Sequence, residues 1–282
     1  MNRPIIALAT PPLNSALALL RVSGDGVFSI VDELFSKRVS GIKERRILVG
    51  YLSDEGKRID QVVLLVYPNP RSITGEDMLE ICCHGSMLIV DEIVRAFLSR
   101  GASYATRGEF TARAFYNGKM DLIEAEAVND LINATTQEGK NLALLSLSGS
   151  TSKMVAPLKE KIASLLALLE VNIDYPEYTD LEEANDKTIG EKASALRKEL
   201  SALIERGEEG KIIREGISIA LVGVPNAGKS SILNALLEQE KAIVSPVPGT
   251  TRDVVEGEIS LHGVPVRILD TAGIRETKDQ IE

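Results

Sequence analysis

The sequence predicts a multidomain chain of mixed α/β and α class. It divides into an N-terminal α+β domain (residues 1–118), a helical bundle domain (119–214) and an incomplete P-loop α/β domain (215–282). Three observations predict this. Short apolar runs alternate with helical patterns over the first region. Apolar residues then recur at helical spacing through the middle. Finally, Ile217-Ser218-Ile219-Ala220-Leu221-Val222 leads into Gly223-Val224-Pro225-Asn226-Ala227-Gly228-Lys229-Ser230, followed by Ile232, Leu233, Leu236 and Leu237 at helical spacing. That is the strand–loop–helix context a P-loop requires.

In the first region, Ile5-Ile6-Ala7-Leu8-Ala9 and Leu17-Ala18-Leu19-Leu20-Arg21-Val22 read as strands parted by a Pro11-Pro12 turn, and residues 28–35 as a helix. Residues 61–66 form another apolar run, ended by Pro68 and Pro70. Residues 73–77 carry turn chemistry. Residues 78–83 return to strand, and 87–98 carry Leu88, Ile89, Ile93, Val94 and Phe97 on one helical face. The only cysteines, Cys82 and Cys83, are adjacent and have no metal-ligand spacing around them. Neighbours rarely bridge each other, so they read as two reduced thiols buried in a strand, without a zinc site, in preference to a reactive pair. Composition alone assigns this region no function.

The middle region carries three apolar series: Leu122, Ala125, Val128, Leu131 and Ile132; then Val155, Leu158, Ile162, Leu165, Leu166 and Leu169; then Ile189, Ala193, Leu196, Leu200, Leu203 and Ile204. Three amphipathic helices form a bundle more readily than isolated rods, because each stripe must be buried. Tyr175-Pro176-Glu177 and the acidic stretch 180–183 break the second helix from the third.

In the last region the chemistry is more specific. Glycine lacks the Cβ that would hold the backbone away from phosphate oxygens, and the free N–H groups of the following helix point at the anion. Lys229 supplies a charge for the outer phosphates and the Ser230 hydroxyl a magnesium ligand. An ordinary glycine-rich turn is the alternative, and the two flanks favour the P-loop. Downstream lie Gly249-Thr250-Thr251-Arg252-Asp253 and two strand-like runs, 254–261 and 264–269, joined at His262-Gly263 as an antiparallel hairpin with His262 as a turn residue. The second run ends in Asp270-Thr271-Ala272-Gly273. A carboxylate there suits magnesium held through water. Thr251 offers a further hydroxyl, and Gly273 an amide for the terminal phosphate.

The net charge of −9 argues against a broad nucleic-acid-coating surface and leaves room for a local basic patch. No apolar run approaches the ~18 residues of a membrane span, and no cleavage site follows the N-terminus. The expectation is a cytoplasmic protein with no membrane association.

Taken together, Gly-x-Pro-Asn-Ala-Gly-Lys-Ser-Ser, Gly-Thr-Thr-Arg-Asp and Asp-Thr-Ala-Gly-Ile-Arg resemble the Era-like branch of P-loop GTPases. The upstream segments narrow this. Ala9-Thr10-Pro11-Pro12, Leu20-Arg21-Val22-Ser23-Gly24, Thr74-Gly75-Glu76-Asp77-Met78-Leu79-Glu80-Ile81, Cys83-His84-Gly85, Arg107-Gly108-Glu109-Phe110-Thr111, Arg113-Ala114-Phe115 and Asn117-Gly118-Lys119-Met120-Asp121-Leu122 resemble the MnmE (TrmE) family, from about residue 4 to the last.

The resemblance implies a GTPase that modifies the wobble uridine of certain tRNAs, adding a carboxymethylaminomethyl or aminomethyl group at C5. It implies a homodimer formed through the N-terminal domains, and a flavin-dependent partner, MnmG (GidA), in a heterotetramer. It implies a folate-binding N-terminal domain that takes 5-formyltetrahydrofolate or a related folate as one-carbon source, with contacts at Arg21, Glu80 and Lys119. As isolated residues these three read better as structural ion-pair groups. It implies GTP contacts at Asn226-Ala227-Gly228-Lys229-Ser230-Ser231, at Ser245, Thr250 and Thr251, and at Asp270-Thr271-Ala272-Gly273. Magnesium falls to Ser230 and Thr251. A potassium ion takes the place of an arginine finger, on Asn226, Ser245, Val247 and Thr250, although Asn226 alone reads as a turn residue. Catalytic roles fall to Glu282, which orients the attacking water, and to Arg252.

Leu13-Asn14-Ser15-Ala16 lacks glycines usual for the family, and Thr106-Arg107-Gly108 stands where Arg-Pro-Gly is usual. The guanine-reading Asn-Lys-x-Asp, the returning bundle helices and the cysteine-containing tail do not occur within the 282 residues, so the expectation is a chain truncated at its C-terminus. The alternatives are a folate-binding dimerisation module without GTPase activity and an Era-like GTPase of ribosome assembly.

Overall fold

Alternation at Ala18, Leu20 and Val22 puts every second side chain of β2 (Leu17–Ser23) on one face, and all three are buried. The same rule builds the rest of the N-terminal sheet. The structure, a computed structural model, describes residues 3–175, 185–222, 231–232, 235–236 and 255–270. The chain divides into two compact units, residues 1–125 and 126–282.

The first unit runs β1 (Ile5–Leu8), β2, α1 (Val27–Leu34), β3 (Arg46–Asp54), β4 (Lys57–Tyr67), β5 (Met78–His84), α2 (Met87–Leu98), β6 (Ser103–Tyr104) and α3 (Glu109–Tyr116). Its sheet has the order β3-β4-β5-β2-β1-β6. All pairs are antiparallel except β1 with β6. Leu20, Val22, Leu64 and Ile81 from one sheet face share a core with Val31 of α1 and with Ile93 and Phe97 of α2. Each such side chain contributes roughly 1.5–3 kcal/mol by leaving water. The opposite face follows from the register. Arg21 lies across from Glu80, Glu80 from Leu65, and Leu65 from Ile47. That face is partly open, with Ile47 67% and Val49 49% exposed.

β3, β6 and α3 have no counterpart among the elements expected from sequence. In β3 the pattern is interrupted by Gly50, which the packing requires: a Cβ there would lie 2.6 Å from Phe35 Cζ. Cys82 and Cys83 point to opposite faces of β5, so only Cys83 is buried and Cys82 is half-buried. Burial, then the charge of Asp60, pushes the Cys83 thiol up to about 11.

The division between units falls within α4 (Leu122–Asn133). The second unit continues with α5 (Gln137–Leu147), α6 (Ser150–Asp174), α7 (Asp186–Glu215), β7 (Ile217–Leu221), β8 (Val255–Leu261) and β9 (Val264–Asp270). The three apolar series correspond to α4, α6 and α7, and α5 is an additional helix. Thr136 caps α5 by accepting the Gly139 N–H at 3.0 Å, and Asn185 caps α7 by accepting the Thr188 N–H at 2.9 Å. Tyr175 closes α6, and the rest of the expected break, 176–184, lies outside the described residues.

The stripe on α6 departs from the bundle expectation. Leu158 is buried, but Val155, Ile162 and Leu166 are 38%, 39% and 54% exposed. An apolar cleft of about 550 Å³ opens between α5, α6 and α7, lined by Leu142, Ala143, Met154, Val155 and Leu203. β8 and β9 form the expected antiparallel hairpin, turning at His262 (φ 51°) and Gly263 (φ 84°). Among the described residues no helix is long and apolar enough to cross a membrane.

Candidate functional site

The open face of the first sheet holds a charged pair at its centre. β2 and β5 pair so that Arg21 and Glu80 face each other across the ladder. Arg21 donates from Nε (2.9 Å) and Nη2 (2.6 Å) to Glu80 Oε1. Tyr67, from the end of β4, donates its hydroxyl to Glu80 Oε2 at 3.2 Å. The Arg21 guanidinium also lies 5.7 Å from the centre of the Phe110 ring, at the start of α3. Burial, then the Glu80 charge, pushes the Tyr67 phenol up, so it remains a hydrogen-bond donor. Arg21 and Glu80 are 26% and 12% exposed. The pair is therefore reachable by a ligand while its partners hold it in place. Glu80 keeps lone pairs for an N–H donor, and Arg21 keeps N–H groups for an acceptor.

Next to this pair lies a buried polar cluster. Ser23, two residues beyond Arg21 on β2, is fully buried, as is Thr74, and their hydroxyls are 2.7 Å apart. Ser23 also donates to Glu76 Oε2 at 2.9 Å. Arg113 of α3 donates from Nη1 to that oxygen at 3.1 Å and from Nη2 to Glu109 Oε1 at 2.8 Å. Burial acts to raise the Glu109 carboxyl. The hydrogen bonds from the Thr106 N–H and from Arg113 outweigh it and hold the carboxyl below its ordinary value.

Lys119 follows α3. Its N–H donates to the Ala114 carbonyl at 2.8 Å, and its side chain is exposed. Its stem passes over Gly75, where a Cβ would come within 3.1 Å of Lys119 Cε. The structure thus brings Arg21 and Glu80 into direct contact and lays the Lys119 stem against the 72–76 loop, which Ser23 ties to the Arg21 strand. Sequence reasoning assigned no role to Tyr67, Phe110, Glu76, Arg113 or Asn117. Phe110, Glu76, Arg113 and Asn117 stood inside motifs it singled out. Tyr67 carried no signal beyond ending an apolar run.

At the other end of the chain, β7 and β9 are parallel, with Leu221 in register with Asp270. The strand entering the Gly-rich loop and the strand ending in Asp270 therefore finish side by side, at the carboxyl edge where α/β sheets bind ligands. Of the nucleotide residues expected from sequence, Ser231 is helical and exposed, and Asp270 is described in its backbone alone. Asn226, Ala227, Gly228, Lys229, Ser230, Ser245, Val247, Thr250, Thr251, Arg252, Thr271, Ala272, Gly273 and Glu282 lie outside the described residues.

Comparison with known proteins gives two family matches: the N-terminus of the GTP-binding protein TrmE over residues 4–119, and the MnmE helical domain over residues 122–282. The tRNA modification GTPase MnmE of Bacillus velezensis is 45% identical, over 99% of this chain and 62% of its own length. The proteins of that name from Bacillus subtilis and Enterococcus faecalis are each 44% identical, over 99% of this chain and 62% and 61% of their own lengths. The chain thus spans somewhat less than two thirds of these relatives.

Proposed function

This chain belongs to the MnmE (TrmE) family, and on that premise we propose that it serves a GTP-hydrolysing enzyme of tRNA wobble-uridine modification. With a flavin-dependent partner of the MnmG kind, that enzyme adds a carboxymethylaminomethyl or aminomethyl group at C5, in the cytoplasm where its tRNA substrates are. One observation carries the reading: the likeness to proteins named tRNA modification GTPase extends over 99% of this chain. The P-loop sequence and the Arg21–Glu80 pair therefore occur together in one chain of that family.

With boundaries at 118/119 and 214/215, the first and last parts take separate tasks. The first part binds a reduced folate and dimerises. The chemistry of its open face supports the folate: Glu80 accepts from the N–H edge of a pterin, Arg21 donates to its carbonyl edge, and Lys119 meets the anionic glutamate tail. When bound, the folate supplies the one-carbon unit. Arg21, Glu80 and Tyr67 orient it.

In the last part, Lys229 and the backbone of the Gly-rich loop hold the phosphates. Ser230, Thr251 and Asp270 would hold a magnesium ion, which would supply charge to offset that of the phosphates. Asn226, with Ser245, Val247 and Thr250, would hold a potassium ion, which would offset negative charge developing during hydrolysis. Glu282 orients the attacking water and Arg252 assists. The parallel register of Leu221 and Asp270 supports this part of the reading. The test is GTP hydrolysis by the full-length protein in potassium and in sodium. A rate at least about tenfold higher in potassium is expected. Equal rates remove the role of Asn226, and no hydrolysis in either salt removes the GTPase reading.

A further inference from the structure

We propose that Asn117 and the Thr74-Gly75-Glu76 loop form a positioning platform for Lys119, holding its ammonium ready for an anionic group of the ligand. The inference rests on the folate reading of the Arg21–Glu80–Lys119 site and adds residues to it. Asn117 Nδ2 donates to the Thr74 carbonyl at 2.7 Å, which binds the turn that carries Lys119 to the loop. Gly75 has φ +77°, and its bare backbone faces the Lys119 stem: a Cβ would lie 3.1 Å from Lys119 Cε, 3.3 Å from Cγ and 3.2 Å from Asn117 Cβ. The left-handed conformation favours glycine there, and a Cβ would press on the Lys119 stem and displace it by a few tenths of an ångström.

The loop is anchored from below. Thr74 and Glu76 are 0% and 5% exposed. Ser23 bonds both side chains, Ser72 Oγ donates to the Glu76 carbonyl at 2.5 Å, and Arg113 pairs with the Glu76 carboxylate. The chain of contacts runs from β2, two residues past Arg21, through the loop to the lysine. Lys119 has no ion partner among the described residues, whereas Arg21 and Glu80 neutralise each other. A flexible lysine stem loses rotamer freedom when its ammonium binds an anion. A stem already laid along the loop loses less, so affinity rises through preorganisation. Asn117 and Gly75 thus act through Lys119 and touch no ligand themselves.

The experiment is calorimetric titration of 5-formyltetrahydrofolate into the 282-residue chain as wild type, N117A, G75A, K119A and the N117A/K119A double variant, with thermal unfolding of each. N117A and G75A should each weaken binding up to about tenfold, the cost of ordering one rotamer-rich side chain on binding. The double variant should bind no worse than K119A alone, because a residue that acts through Lys119 has nothing left to act on. A merely structural role would leave the two losses additive. Wild-type affinity in both N117A and G75A, or full additivity with K119A, overturns the inference while leaving the folate site standing. A K119A variant that binds as wild type overturns it as well. No binding by the wild type removes the folate reading itself and the inference with it. If N117A fails to fold, G75A paired with K119A carries the same cycle.

Discussion

The two units treat their apolar surface differently. In the first, an alternating sheet face meets two helices and closes a core in which Leu20, Leu64, Ile81 and Phe97 are fully excluded from water. In the second, α6 and α7 are longer and just as periodic, yet Leu166 and Ile204 are 54% and 61% exposed. Periodicity states which face of an element is apolar. It does not state what covers that face. A sheet built from near neighbours in sequence supplies its own cover, and a pair of long helices does not.

The largest expected effect separates the two regions directly. Phe97→Ala should destabilise the first unit by about 3–5 kcal/mol, whereas Leu166→Ala should cost the second less than about 1 kcal/mol. Native-state hydrogen exchange of β5 amides and of α6 amides reads the two separately, and similar losses would break the comparison.

Ion pairs sharpen it next. Arg113→Met removes the cation paired with the Glu76 carboxylate, 6% exposed, and should cost about 3 kcal/mol. Removing Lys161, paired with Glu199 across exposed faces of α6 and α7 at 2.6 Å, should cost less than about 1 kcal/mol. Denaturation midpoints of the two variants decide this.

A smaller effect depends on pH. Glu109 titrates below the ordinary glutamate value of 4.5 when folded, so its stabilisation is present above that value and lost as the pH falls through the folded pKa. Wild type should exceed Glu109→Gln in stability at neutral pH, and the gap should close below about pH 4.5. A gap that persists in acid contradicts the assignment. The smallest effect is chemical: iodoacetamide near neutral pH should label half-buried Cys82 well before Cys83, whose thiol stands at about 11. Equal labelling, followed by mass spectrometry, would show that β5 opens as a whole.

Much of this was legible in the sequence, for identifiable reasons. α2 was read to the residue, because Ile93, Val94 and Phe97 repeat at helical spacing with no break. The His262-Gly263 turn was read because the two apolar runs leave room for nothing longer. β3 was missed because Gly50 sits where an apolar residue would complete the alternation, and its reason for being there is Phe35, 15 residues away. α5 was missed because Gly139 and small residues dilute its stripe.

At the candidate site, Arg21, Glu80 and Lys119 came from motif resemblance, and their arrangement came from strand register. Residues 73–77 were recognised as a turn. That this turn buries Glu76 against Arg113 depends on a contact 37 positions apart, which no local pattern records.

The most direct measurement is the titration of 5-formyltetrahydrofolate into the wild-type chain and into Glu80→Ala, with the thermal midpoint of each. The account predicts binding by the wild type and a loss of about 100-fold in the variant, as expected for removing a charge-assisted ligand contact, with both proteins folded at the temperature of the titration. No binding by the wild type, or equal affinity in the variant, would contradict the claim that the open face of this sheet is a ligand site built on Arg21 and Glu80.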